Sequence, residues 1–173
     1  MIIRRELAGD EIAIGRVHAD AFAVEYPQGE PVEPGLVIAL RVSDAWIPEL
    51  SLVAVAGGAI VGHVCCTRAT VGEARFPVLG LGPLGVGEDH KGTGVGSALM
   101  HAVLAAADAR DEPLVVLLGH PGYYPRFGFR PAAELGIRPE HPEWVPAFQA
   151  RTLTRYRPEM AGQFVYSAPF REL

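Results

Sequence analysis

The sequence predicts an α/β fold in one domain over residues 1–173, with a mixed central sheet of about seven strands flanked by helices. Three observations carry this expectation. Ser51 to Ala56 and Ala59 to Thr70 are rich in Val, Ile and Thr and flank Gly57-Gly58, a two-residue turn suited to positive φ, which reads as an antiparallel hairpin. Phe76 to Val86 is an apolar strand that runs into closely spaced glycines and then into a helical pattern. Pro113 to Leu118 is a continuous apolar run of strand length, so the strand-helix-strand order implies a parallel pair buried on both faces.

The remaining elements follow along the chain. Ile2 to Arg4 reads as a first strand, and Asp10 opens a helix whose apolar stripe is Ile12, Val17, Ala21 and Phe22 and which Pro27 ends. Gln28 to Pro34 is a loop rich in Pro and Gly, and Gly35 to Ser43 a second short helix. Glycines at 80, 82 and 85 weaken the strand from Phe76 to Val86, which argues for a bulge or for close approach of a ligand to the backbone. From Gly94 to Asp111, Val95, Ala98, Leu99, Ala102, Val103, Ala106 and Ala107 fall at helical spacing and make the crossover helix. A short helix is expected around Tyr123 to Phe127. Phe148 to Leu153 and Gly162 to Ser167 read as two last antiparallel strands, and an edge near Val165 and Tyr166 is open to pairing with a second chain.

Composition narrows the function classes. The chain of 173 residues is 49% hydrophobic, enough for a packed core. No apolar run approaches the roughly 20 residues of a membrane helix, and Met1-Ile2-Ile3-Arg4-Arg5-Glu6 goes straight to charge, so a cytoplasmic location without membrane association is expected. The net charge of −5 gives no general attraction to nucleic acid and mildly suits an amine substrate. Cys65 and Cys66 are adjacent in a strand, point to opposite faces and read as buried thiols. The histidines show no metal spacing, and no metal is expected.

The most informative stretch is Gly85 to Met100. A loop with Gly92, Gly94 and Gly96 turns backbone N–H groups inward without Cβ interference, and the helix behind it adds unpaired donors and a positive dipole end. On its own such a loop is either an anion site or only a turn. A P-loop is excluded because Lys91 precedes the glycines, and Gly92-Thr93-Gly94-Val95-Gly96 misses the dinucleotide spacing.

Lys91-Gly92-Thr93-Gly94-Val95-Gly96 resembles the Gln/Arg-x-x-Gly-x-Gly/Ala acyl-CoA loop of the GNAT superfamily of N-acyltransferases, with Lys in place of Gln or Arg. The aromatic-Tyr-x-x-x-Gly-Phe run of the same family is matched by Tyr123-Tyr124-Pro125-Arg126-Phe127-Gly128-Phe129. Leu81-Gly82-Pro83-Leu84, Gly119-His120-Pro121 and the segment from Gln163 to Phe170 are similar to the YhbS-like branch of predicted acetyltransferases.

The resemblance implies a GNAT-type domain in which the fourth and fifth strands splay into a V and acetyl-CoA, as acyl donor, lies in the cleft. Leu84, Gly85 and Val86 would offer backbone groups to its pantetheine arm, and Lys91, Gly92, Thr93, Gly94, Val95, Gly96 and Ser97 would hold its pyrophosphate. A bulge near Val86 would aim a backbone N–H at the thioester carbonyl. Tyr124 occupies the position of the family's catalytic tyrosine and would be the general acid, by direct attack of the acceptor in a ternary complex. The base stays open between His120 and a loop glutamate acting through water. Glu25, Glu30 and Glu33 surround the first helical pair, which would border the acceptor pocket, and are either binders of a cationic acceptor or solvated loop carboxylates, and His63 reads as a structural histidine. The acceptor would be a small-molecule or peptide amine, the protein a monomer or homodimer, and the alternative a non-catalytic acyl-CoA-binding or regulatory module.

Overall fold

A computed structural model describes residues 1–172. The strands are β1 (Ile2–Arg5), β2 (Trp46–Ala56), β3 (Ala59–Val71), β4 (Phe76–Val86), β5 (Leu114–Leu118), β6 (Arg130–Pro131), β7 (Ile137–Arg138), β8 (Phe148–Thr152) and β9 (Gly162–Val165). The helices are α1 (Glu11–Phe22), α2 (Glu33–Arg41), α3 (Val95–Ala109) and α4 (Ala168–Arg171). The sheet runs β1-β2-β3-β4-β5-β8-β6, antiparallel except for the pair β4–β5. The seven expected strands are present, and the two additional ones, β6 and β7, are two residues each, too short to carry a periodic signal.

α3 covers one face of the sheet. Val95, Leu99, Met100, Val103 and Ala107 bury themselves there against Leu52, Ala54, Val64, Cys66, Leu79 and Leu81. α1 and α2 cover the other face through Ile14, Val37, Leu36 and Leu40, which meet Val53 and Cys65. Cys65 and Cys66 thus fall on opposite faces, both free and buried, and burial pushes both thiols well above their ordinary range.

Two expectations about the C-terminal strands are corrected. β8 and β9 are antiparallel to β5 and β3 respectively, not to one another. β9 also pairs with β7, so Gly162–Val165 is not the open edge that the sequence suggested. The second helix starts two residues earlier than expected, with Pro34 in its first turn, where a missing N–H costs nothing.

β4 and β5 pair only at Leu79–Val115 and Gly80–Val116. Beyond Gly80 the strands part, β5 staying with β8 as far as Leu118–Phe148. This is the V-shaped splay between the fourth and fifth strands. The ladder of β4 with β3 shifts register between Leu81 and Leu84, so the bulge is at Gly82-Pro83 rather than near Val86, which stands regularly opposite Gly62. Gly82, at φ +147°, adopts a conformation L side chains rarely reach.

Candidate active site

The free edge of β4 is defined by hydrogen-bond alternation. Gly87 N–H donates to Val61 O at 3.0 Å, and Gly62 stands opposite Val86. Since bonded and non-bonded pairs alternate in an antiparallel ladder, Gly85 spends its N–H and C=O on His63, whereas Leu84 and Val86 turn theirs to the edge that β5 has left. Of the three residues expected to offer backbone groups, only Leu84 and Val86 are oriented for it. The close approach that makes residue 85 a glycine comes from within the chain: a Cβ there would lie 2.6 Å from His18 Nδ1.

From Val86 the chain passes through a 3-10 turn at Glu88–His90 into the glycine loop. Gly92 and Gly94 have φ of +73° and +91°, and nothing stands within 4 Å of the Cβ either would carry. The loop is open on that side and needs glycine for its backbone angles. Ala98 N–H, bonded to Gly94 O at 3.0 Å, is the first in α3 to find a helical acceptor. Val95, Gly96 and Ser97 therefore present unpaired N–H groups at the positive end of the helix dipole, an arrangement suited to an anion. Gly96 has a different reason for lacking a side chain, since its Cβ would meet Tyr123 Oη at 2.9 Å.

Lys91 and Thr93 lie in the same loop with their side chains engaged by the protein. Lys91 Nζ is 2.5 Å from Glu88 Oε2 and donates to Ala21 O at 3.2 Å, while Thr93 Oγ1 donates to His90 O at 2.6 Å. Asp20 accepts from Glu88 N–H at 2.7 Å, so α1 clasps the loop from the side.

At the mouth of the V, β4 and β5 open into a cleft of about 600 Å³. Its floor is Leu81 to Leu84, and one wall is Leu118, Gly119, His120 and the tyrosines. Tyr124 opens the short helix Tyr124–Phe127, its ring edge-on to Tyr123 at 5.0 Å and to Phe129 at 5.9 Å. A Cβ on Gly119 would stand 2.3 Å from the Tyr124 ring, so that glycine makes the room. Burial pushes the Tyr124 phenol up to about 12, with Tyr123 adding to the shift, and the hydroxyl holds its proton at neutral pH. Phe127 and Phe129 are core residues.

His120 lines the cleft, and its Nδ1 accepts the Gly122 N–H at 3.0 Å. That bond engages the Nδ1 lone pair in the loop and leaves Nε2 free of it. Glu25 and Glu33 also line the cleft. Trp144, which no motif or periodicity marks, reaches the cleft from the 3-10 segment Pro142–Ala147. Phe22, Leu36, Tyr166 and Phe170 complete the lining.

Behind the sheet lies a buried polar chain that also escaped sequence reasoning. Arg41 Nε donates to Glu6 Oε1 at 2.7 Å, Ser51 Oγ donates to Glu6 Oε2, His63 Nε2 is 2.9 Å from Ser51 Oγ, and His63 Nδ1 is 2.8 Å from His18 Nε2. Ser51 spends its one proton on Glu6, so His63 must donate through Nε2 and accept through Nδ1. His18 consequently donates through Nε2. Its Nδ1 is left as a bare lone pair without a partner among the described residues. Burial drives His18 down to about 3 and His63 below its ordinary value, so both rings are neutral. Burial alone would raise Glu6, but the His63 N–H edge 3.7 Å away and the hydrogen bonds from Arg41 and Ser51 outweigh it and hold the carboxylate at about 2. His63 is thus structural, as its strand position suggested.

The chain is similar to known proteins. The family model for the acetyltransferase (GNAT) domain matches residues 3–132. The chain belongs to the GNAT acetyltransferase family. Among curated GNAT relatives, it is 40% identical over 103 residues to the uncharacterized N-acetyltransferase YjhQ of Escherichia coli K12, covering 58% of this chain and 57% of that one. It is 32% identical over 96 residues to the uncharacterized N-acetyltransferase YhbS of the same strain, covering 56% and 58%. The chain therefore spans less than three fifths of the length of either relative. In three dimensions it resembles the GNAT family N-acetyltransferase YhbS from Escherichia coli in complex with CoA, at TM-score 0.88 and 28% identity, over 98% of this chain and 91% of that one. It also resembles a GNAT family acetyltransferase from Brucella melitensis in complex with acetyl-CoA, at TM-score 0.79 and 31% identity, over 98% and 97%. Among the described residues no helix is long and apolar enough to cross a membrane.

Proposed function

We propose that residues 1–173 form one acyltransferase domain that moves an acetyl group from acetyl-CoA to an amine by direct attack in a ternary complex. The observation that carries this reading is the continuity of two donor sets: the edge of β4 freed beyond Gly80, and the unpaired N–H groups of Val95, Gly96 and Ser97 directly after it. Leu84 and Val86 would bond the amides of the pantetheine arm as a further strand does, and the loop from Gly92 to Ser97 would take the pyrophosphate on backbone donors. That β8 and β9 join the same sheet supports including the segment beyond residue 132.

The acceptor attacks as a neutral amine. As the tetrahedral intermediate forms, charge develops on the carbonyl oxygen, and a strand N–H freed beside the Gly82-Pro83 bulge would meet it. Leu84 is the candidate, because Pro83 has no N–H to give. Such a donor contributes about 3 kcal/mol in the transition state. Tyr124 would donate to the departing sulfur. At about 12 its phenol is a weak acid for a thiolate near 8.5, and the cationic nitrogen of the intermediate lowers it at the moment the proton is needed and then gives its own proton to the phenolate, directly or through water. A covalent acyl-enzyme is disfavoured, because Cys65 and Cys66 are buried on opposite faces with their thiols held protonated.

One observation favours a non-catalytic acyl-CoA-binding module instead: β4 from Leu81 to Val86 carries no carboxylate to serve as base. Calorimetric titration with acetyl-CoA, followed by an amine screen that reads free thiol, tests both readings. Micromolar binding with turnover is expected. Binding without turnover on any amine favours the module, and no binding overturns both.

A further inference from the structure

Once the reaction is assigned to the cleft, its lining is left with two carboxylates that the proposed chemistry does not use. Glu25 ends the 3-10 turn that follows α1, and Glu33 is the first residue of α2. Both line the cleft, and among the described residues no lysine or arginine does. Glu33 Oε2 is closed off from solvent and has no hydrogen-bond partner among the described residues, while the carboxyl accepts a long bond from Tyr26 Oη at 3.4 Å and is approached by the backbone N–H groups at its own helix start. Burial raises the Glu33 carboxyl from its ordinary value, and the charge of Glu25 adds to the shift. A half-buried carboxylate with an orphaned oxygen beside a second like charge is an unfavourable arrangement that a cation in the cleft would relieve.

The reacting nitrogen is a poor candidate for that cation. Contact with two carboxylates would raise its pKa and hold it as an ammonium, and the ammonium form cannot attack a thioester. The carboxylates suit a charge that stays charged throughout. A cleft of about 600 Å³ has room for a molecule far larger than one amino group, and Phe22, Trp144 and Phe170 in the same lining accept an apolar linker.

We propose that the acceptor is an amine carrying a second, permanently protonated ammonium group on an apolar spacer, and that Glu25 and Glu33 hold that second group while the free amine reaches the bulge at Gly82-Pro83. This rests on reading the cleft as the acceptor half of an acetyltransferase.

The test compares 1,5-diaminopentane, pentylamine and 5-amino-1-pentanol as acceptors at saturating acetyl-CoA, for the native protein and for Glu33→Gln and Glu25→Gln, with calorimetry of acetyl-CoA run on each. The diamine is expected to exceed both mono-amines in kcat/KM by about tenfold or more, mostly through KM. In each variant that ratio should fall severalfold with acetyl-CoA affinity unchanged. Equal use of the three amines, a ratio that survives both substitutions, or turnover of none of them by a protein that binds acetyl-CoA overturns the proposal. Failure of the native protein to bind acetyl-CoA overturns the acyltransferase reading instead. Should Glu33→Gln not fold, the Glu25→Gln protein carries the comparison, because that residue lies outside the regular helices and is in none of the hydrophobic clusters.

Discussion

The two halves of the candidate site are built on opposite principles. On the side of β4 and α3 the working groups are backbone N–H and C=O, drawn from one unbroken run between Leu84 and Ser97. On the side of α1, α2 and the C-terminal segment they are side chains brought from residues as distant as Phe22, Glu33, Trp144 and Phe170. Backbone donors recognise a phosphate and an extended amide arm whatever the neighbouring side chains are, so that half suits a constant partner. A wall of side chains changes its chemistry with each substitution, so that half suits a partner that varies between relatives.

The sharpest way to break the contrast is to place charge on the backbone-built half. Asp at both Gly94 and Gly96 should weaken acetyl-CoA binding by more than about 100-fold in calorimetry, because residue 94 sits at φ +91°, residue 96 faces Tyr123 Oη at 2.9 Å, and both carboxylates would oppose the pyrophosphate. Unchanged circular dichroism would assign the loss to the loop, and retained binding would show that the loop is only a turn.

Tyr124→Phe is expected to lower kcat by about 10²-fold with acetyl-CoA affinity intact, as loss of a general acid predicts. Unchanged kcat would reduce Tyr124 to packing.

Stability should fall with acid, through the buried chain behind the sheet. His18 is about 3 when folded and near 6.5 when unfolded, so its contribution is complete above pH 6.5 and is lost as the pH falls toward 3, where the unfolded chain takes a proton that the folded one refuses. Glu6, held at about 2 against an ordinary 4.5, adds a loss in the same direction below pH 4.5. Between pH 7.5 and 5 the histidine alone accounts for about 2 kcal/mol, or a Tm lower by about 4–8 °C in scanning calorimetry. A flat Tm over that range would mean that His18 is not buried neutral.

The smallest effect is expected at Lys91. Its ammonium is committed to Glu88 and Ala21 on the surface, and Lys91→Ala should change acetyl-CoA affinity by less than about threefold. A large loss would mean that the lysine lets go of Glu88 to reach the phosphates, and that side chains matter on the backbone-built half as well.

The same contrast separates what is legible in the residues from what is not. The glycine loop, the crossover helix and the Gly57-Gly58 hairpin are local: turn glycines, period-two alternation and period-3.6 stripes within one window specify each. The expected glycine loop, helix and tyrosine run therefore lie where the sequence placed them. Gly85 shows the limit. A strand glycine announces a close approach, but whether the visitor is a ligand or His18 depends on which helix docks on that face. Trp144 carries no local mark of reaching the cleft, and His18 meets His63 across 45 residues without any shared periodicity.

By itself, then, the sequence determined the order of strands and helices, the splay beyond the fourth strand through its family motifs, and the loop whose glycines free the helix donors, because each is written in neighbouring residues. The tertiary structure alone decided that the bulge is at Gly82-Pro83, that Leu84 and Val86 rather than Gly85 face the open edge, that β9 joins β3 and β7, and that Glu25 and Glu33 share one cleft with Tyr124. Those are matters of register and of long-range docking, set by which side chains from remote segments fill the same space, and no window of the chain contains both partners.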